Sequence, residues 1–158
     1  MVRVEFVRRK LHLISDDLSM LLRFKDETLE SLTDDDMKLA AVERIVERIV
    51  MRAVDANEHF ISELATGKER TSRLAYRDTF LMLAELGIYP KDFAEQIAKS
   101  AGLRNILVHD YNDIDRKILH GSIRDCLKDY HKYLEYISDF LESGSQQETG
   151  QELKIQSK

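Results

Sequence analysis

A chain of 158 residues suits one compact domain and leaves little room for a second. Hydrophobic residues make up 43% and charged residues 34%, so a core can form and disorder throughout is excluded, while one proline and six glycines are too few turn formers for a many-stranded sandwich or barrel. The net charge of −5 argues against a broad nucleic-acid coat and leaves room only for a small cleft, and the single cysteine, Cys126, excludes an internal disulfide framework and a multi-cysteine zinc site.

Helical periodicity runs through almost the whole chain. The first segment carries Val7, Leu11, Ile14, Leu18, Leu21 and Leu29 at helical steps, with Lys25 in the one gap. The pattern breaks over 31–36, where Thr33 or Asp34 can cap the next helix. That helix shows an unbroken stripe, Leu39, Val42, Val46, Ile49, Ala53, Ala56, Phe60 and Leu64, and Gly67 suits a left-handed terminator. A third helix should start near Thr71 or Ser72 and present Leu74, Phe80, Leu83 and Leu86 before Gly87. Pro90 fits the first turn of a fourth helix, which places Phe93, Ile97, Ala101 and Val108 on one stripe with Gly102 weakening its middle. After a polar loop from Tyr111 to Asp115, a last helix turns Ile118, Ile123, Cys126, Tyr130, Leu134, Ile137 and Leu141 inward. The expected architecture is an all-α, up-and-down bundle of four to five helices over residues 1–141, with a polar, disordered tail over 142–158. No apolar run approaches the length of a bilayer, and MVRVEFVRRK lacks a signal peptide's apolar segment, so a cytoplasmic location is expected, with no membrane partner and no DNA.

The anomaly in this pattern is Arg104, which falls on the apolar stripe of the fourth helix. A buried guanidinium without a partner is very costly, so Arg104 needs a carboxylate, an anion or a wet cleft. His109 follows five residues later; at about 100° per residue the two side chains stand roughly 140° apart on one straight helix. They converge only if the helix ends near His109 or if two subunits bring copies together, whereas Asn105 and His109, at i and i+4, share a face. On these residues alone, an ordinary salt bridge at Arg104 and a histidine cap at the helix C-terminus serve equally well.

Other polar candidates have plainer readings. Arg48, Arg52, Asp55 and His59 form a polar stripe beside the apolar one on the second helix; Asp55 could pair with Arg104 or position His109, although an interfacial salt-bridge face explains the stripe as well. Lys68, Arg70, Arg73 and Arg77 could form a basic patch for RNA or simply a solvated face. His12, His120 and His131 stand at no metal-ligand spacing, so neither metal nor cofactor is assigned. Cys126 reads as core.

The longer string RNILVHDY, Arg104 to Tyr111, resembles the R-x4-H-x-Y signature of the HepT-like group of the HEPN superfamily, and Ala41 to Ile61 is similar to that family's second helix. The resemblance covers roughly Met1 to Leu141. It implies an all-helical bundle, a homodimer, and a metal-independent endoribonuclease acting as the toxin of a type VII-like toxin–antitoxin pair. It also implies a minimal nucleotidyltransferase antitoxin that attaches AMP to the motif tyrosine, here Tyr111.

The residue types suit that chemistry. RNA carries its own nucleophile, the 2′-OH, so no metal-bound water is needed. A near-neutral imidazole at His109 can move a proton and a guanidinium at Arg104 can hold the phosphate. Asn105 could orient the phosphate or fix the imidazole tautomer, and Asp110 tunes the local field or is simply solvated. AMP on Tyr111 would set a phosphate and an adenine where RNA must lie. Two other functions keep the fold: a non-catalytic substrate-binding subunit of a minimal nucleotidyltransferase, and a homodimer whose cleft binds a regulatory nucleotide. The joint presence of Arg104 and His109 favours the enzyme, since a purely binding subunit does not need both.

Overall fold

The computed structural model of the protein describes residues 1–67, 73–103, 106 and 113–156, the side chains of 113, 114 and 145–156 excepted. Every regular element among them is helical. The first helix, α1, spans Val4–Leu22; α2 spans Leu29–Thr33; α3 spans Asp36–Leu64; α4 spans Tyr76–Glu85; α5 spans Lys91–Ala98 and tightens into a 3₁₀ turn over Lys99–Gly102; α6 spans Asp113–Gln156. The expected all-α bundle is found, with six α-helices among the described residues rather than four or five.

Most boundaries follow from local chemistry. The first apolar stripe does not reach Leu29 in one helix: the N–H groups of Arg23, Phe24 and Lys25 turn back to carbonyls three residues earlier, and the chain leaves the helix where Lys25 interrupts the pattern. Thr28 then opens α2 through a capping box with Ser31. The cap of α3 is Asp35, not Thr33 or Asp34; its carboxylate accepts from the N–H groups of Met37 and Lys38 at 3.0 and 3.1 Å. Leu64 ends α3 half-exposed, and Gly67, with φ of 87°, lies beyond the cap at Ala65 instead of forming it.

The third predicted helix begins later than its pattern suggested. Thr71 and Ser72 lie outside the described residues, and the first turn of α4 is at Tyr76. Its end is as expected: Gly87 adopts φ of 78° while its N–H bonds Ala84 and that of Ile88 bonds Leu83, a Schellman closure with Ile88 buried. Pro90 is the N-cap of α5 rather than a member of its first turn. On α6, helix begins at Asp113 where a loop to Asp115 was expected, Leu119 is buried in place of Ile118 (42% exposed), and the backbone stays helical to Gln156, well past Leu141.

The long α3 lies between α1, α4 and α6. It runs antiparallel to α1, since Arg3 meets His59 while Asp17 meets Arg48 and Arg52. It runs parallel to α6, where Tyr133 reaches Ala53 and Asn57 while Phe140 packs on Phe60. An aromatic cluster of Phe80, Tyr89, Phe93, Tyr130, Tyr133 and Tyr136 locks α4, α5 and α6 together, each edge-to-face or tilted pair adding roughly 1 kcal/mol to its buried area. Among the described residues no helix is long and apolar enough to cross a membrane.

Candidate functional site

The motif is reached through α5 and its 3₁₀ continuation. Phe93, Ala94, Ile97, Ala98, Ala101 and Leu103 are buried, so this element is held along one face up to the residue before Arg104. Its end is pinned by hydroxyls: Ser100 Oγ donates to the Ile97 carbonyl at 2.7 Å and receives the buried phenol of Tyr130, also at 2.7 Å. Burial pushes the Tyr130 phenol far up, so it stays a donor at any physiological pH. One turn earlier, Gln96 donates to Asp129 of α6 at 3.3 Å, and burial holds that carboxyl above the usual carboxylate range.

Of the motif's neighbourhood, Ile106 is described and packs partly buried on the core. Arg104, Asn105, Val108, His109, Asp110 and Tyr111 lie outside the described residues, as do Lys68 and Arg70. What the structure does show is the wall leading to them. Ala101 and Gly102 face Arg73, Leu74, Ala75, Tyr76 and Arg77 across a cleft of about 450 Å³. Arg73 and Arg77 are exposed, and the ion pairs formed among the described residues use neither. The positive charge of Arg73 is felt by Glu58 of α3, although burial and Asp55 together raise that carboxyl's pKa. Of the four basic residues singled out in the sequence, two therefore line a concave surface opposite the Ala101–Gly102 turn instead of a flat solvated face. Tyr76 was not legible as a member; its place beside Arg77 at the start of a helix was the only signal.

The polar stripe of α3 has a different destination. Arg48 and Arg52 both bond the carboxylate of Asp17 on α1, and Arg52 also donates to the Leu13 carbonyl at 3.2 Å. Asp55 pairs with Lys10 at 2.9 Å, and His59 Nε2 accepts the N–H of Arg3 at 2.9 Å. The stripe is thus the polar seam of the α1–α3 interface; any relation of Asp55 to Arg104 or His109 lies outside the described residues. Burial, with Arg3 nearby, depresses the His59 pKa, which keeps its ring neutral and able to accept. His12 pairs with Asp16, His131 with Glu135, and His120 bonds the Glu27 carbonyl at 2.7 Å. Among the described residues no group of three or more His, Cys, Asp or Glu is disposed to hold a metal ion. Cys126 is buried in the core, and burial pushes its thiol up to about 12.

Comparison with known proteins accounts for most of this chain. The tRNA nuclease HepT of Aphanizomenon flos-aquae is 33% identical over 135 residues, covering 85% of this chain and 89% of that protein. The mRNA nuclease HepT of Shewanella oneidensis is 26% identical over 92 residues, 58% of this chain and 66% of that protein. Among solved structures, the tri-AMPylated Shewanella oneidensis HEPN toxin in complex with MNT antitoxin superposes with a TM-score of 0.70 at 20% identity, covering 85% of this chain and 97% of that one. A toxin–antitoxin complex with AMP-PNP gives the same TM-score at 20% identity, covering 85% and 98%. These structures share the fold. The family model of the ribonuclease HepT-like proteins matches residues 14–137, a span that includes the whole R-x4-H-x-Y string. The chain therefore belongs to the ribonuclease HepT-like family.

Proposed function

We propose that the protein is a cytoplasmic, metal-independent RNA endonuclease, the toxin of a pair whose second member is a minimal nucleotidyltransferase. The observation that carries this reading is the intact Arg104–Tyr111 motif inside the family-matched span, in a chain whose relatives include nucleases of tRNA and mRNA. In the proposed reaction the 2′-OH of one ribose attacks the adjacent phosphorus and the bond from phosphorus to the 5′ oxygen breaks. His109 moves the proton, and Arg104 stabilises the charge that builds on the phosphate oxygens. The products are a 2′,3′-cyclic phosphate and a 5′-hydroxyl. Asn105 orients the phosphate or the imidazole, Asp110 tunes the field, and two protomers of a homodimer bring their motifs to one cleft. Asp55, which also meets Lys10, is proposed in a supporting role, pairing with Arg104 or positioning His109.

Control is proposed to act at Tyr111. Its phenolic oxygen attacks the α-phosphorus of ATP on the partner enzyme, pyrophosphate leaves, and the retained AMP fills the RNA path. The relatives seen as toxin–antitoxin complexes, one of them tri-AMPylated, support this reading.

The test uses purified, unmodified protein and RNA in the presence of EDTA. Cutting with cyclic-phosphate ends is expected, and Arg104→Ala or His109→Ala should abolish it with circular dichroism unchanged. RNA left intact by the wild type would hand the chain to the substrate-binding-subunit reading. After incubation with ATP and the proposed nucleotidyltransferase partner, mass spectrometry should find an AMP-sized increment on Tyr111; an unmodified Tyr111 with an active partner would sink the regulatory half alone.

A further inference from the structure

We infer that the cleft between the Arg73–Arg77 segment and the Ala101–Gly102 turn is a subsite for one nucleotide of single-stranded RNA beside the cut. The inference rests on the ribonuclease reading, but it concerns affinity and the choice of RNA rather than the chemical step.

Size comes first. At about 450 Å³ the cleft falls within the range of roughly 300–1,000 Å³ that small-ligand sites occupy, room enough for a base with its ribose. Its lining then matches the parts of a nucleotide. Leu74, Ala75 and Ala101 offer an apolar wall, Tyr76 an aromatic ring on which a base can stack, and Arg73 and Arg77 two guanidiniums suited to phosphate oxygens. Gly102 leaves its part of the wall open, since a Cβ added there would meet nothing within 4 Å.

Charge gives the second argument. In a chain of net charge −5, Arg73 and Arg77 are both exposed at this one cleft. Asp17 neutralises Arg48 and Arg52 by direct ion pairs, whereas Arg73 is felt by Glu58 without an ion pair and no carboxylate among the described residues forms one with Arg73 or Arg77. A phosphodiester supplies the direct ion-pair partner that both lack among the described residues. An acidic protein surface would also be attracted, but it would not need a concave site with an aromatic ring in its lining.

Location supplies the third. Arg104 follows Gly102 by two residues, a chain span of at most about 7 Å. A strand running from the cleft along this stretch of chain would carry its next phosphate toward the motif, and in that case the subsite selects which phosphate is presented.

The test measures binding without cleavage. A fluorescent, single-stranded 2′-O-methyl oligonucleotide lacks the nucleophile, and its anisotropy is followed between 50 and 200 mM salt for the wild type, Arg73→Ala, Arg77→Ala, the double variant and Tyr76→Leu. Each arginine removed should lower the slope of log Kd against log salt by about 0.7, so the double variant should lose about a sevenfold share of the affinity gained on lowering the salt. Tyr76→Leu should weaken binding roughly tenfold with the slope unchanged, since a base stack is lost and no charge is. Wild-type affinity and slope in all four variants would overturn the subsite, as would a wild type that does not bind the oligonucleotide. Loss of binding in the variants together with no cutting of unmodified RNA by the wild type would keep the subsite and reject the nuclease.

Discussion

Removing one oxygen from the core gives the sharpest test of how the cleft is held. Tyr133 on α6 donates to Asn57 Oδ1 at 2.7 Å; the amide of Asn57 donates to Thr79 Oγ1 at 3.2 Å; Thr79 donates to the Tyr76 carbonyl at 2.7 Å. Asn57, Thr79 and Tyr133 are all fully buried, so this chain of hydrogen bonds ties α6, α3 and the first turn of α4 in a dry setting. Tyr133→Phe deletes the first donor and leaves the Asn57 oxygen unsatisfied, which costs about 2 kcal/mol. With an unfolding entropy of about 2.1 cal/mol/K per residue over the chain, that corresponds to a drop of about 6 °C in Tm. Thermal and urea unfolding followed by circular dichroism measure it, and the urea slope should stay constant because the exposed area does not change. A double-mutant cycle with Asn57→Ala separates the bond from the cavity. Once the amide is gone the phenol has little left to satisfy, so the double variant should be at least about 1 kcal/mol more stable than the two single costs summed. A Tyr133→Phe shift below about 2 °C, or strict additivity, would refute the network as a structural tie.

Three further outcomes follow from other parts of the molecule. Asp17→Ala removes the one buried carboxylate shared by Arg48 and Arg52; because each guanidinium remains about a quarter to a third exposed, the loss should be about 3 kcal/mol, the lower end for a broken buried pair, and an unmoved urea midpoint would contradict it. His59 has a folded pKa depressed below its ordinary 6.5, so the stability it contributes is present above that value and is lost as pH falls toward the lower folded pKa; His59→Gln should flatten this part of the pH–stability curve, and an unchanged curve would count against it. The Asp129 carboxyl has the opposite sign: its folded pKa is raised by burial, so its contribution is present at low pH and is lost as pH rises. Asp129→Asn, which keeps an acceptor for Gln96, should stabilise the protein at pH 7 with a gain that vanishes toward pH 3.8, and a variant equally or less stable at pH 7 would oppose the assignment.

The sequence by itself determined the all-α class, the long stripe of α3 and the end of α4 before Gly87, because helical period is a property of neighbouring residues, whereas Gly67, the one glycine read as a left-handed terminator, lies beyond the cap at Ala65. It also held the motif string, since Arg104 to Tyr111 is a spacing along the chain. Boundaries set by competing local bonds were less legible: Thr33, Asp34 and Asp35 are all plausible caps, and only the carboxylate of Asp35 reaches two free N–H groups. Ile118 and Leu119 are equally apolar, and the direction from which α6 meets its neighbours decides which of them is buried.

Tertiary structure alone decided the partners of the charges. The stripe from Arg48 to His59 spends its polarity on α1, whose Lys10, Leu13 and Asp17 lie 31 to 45 residues from their partners in sequence, so no local pattern could reveal it. The same holds for Arg73 and Arg77, which became the rim of a cleft only because the end of α5 folds back against the start of α4, setting Gly102 opposite Tyr76. Spacing along a helix fixes which side chains share a face; it takes the packing of helices far apart in the chain to fix what that face meets.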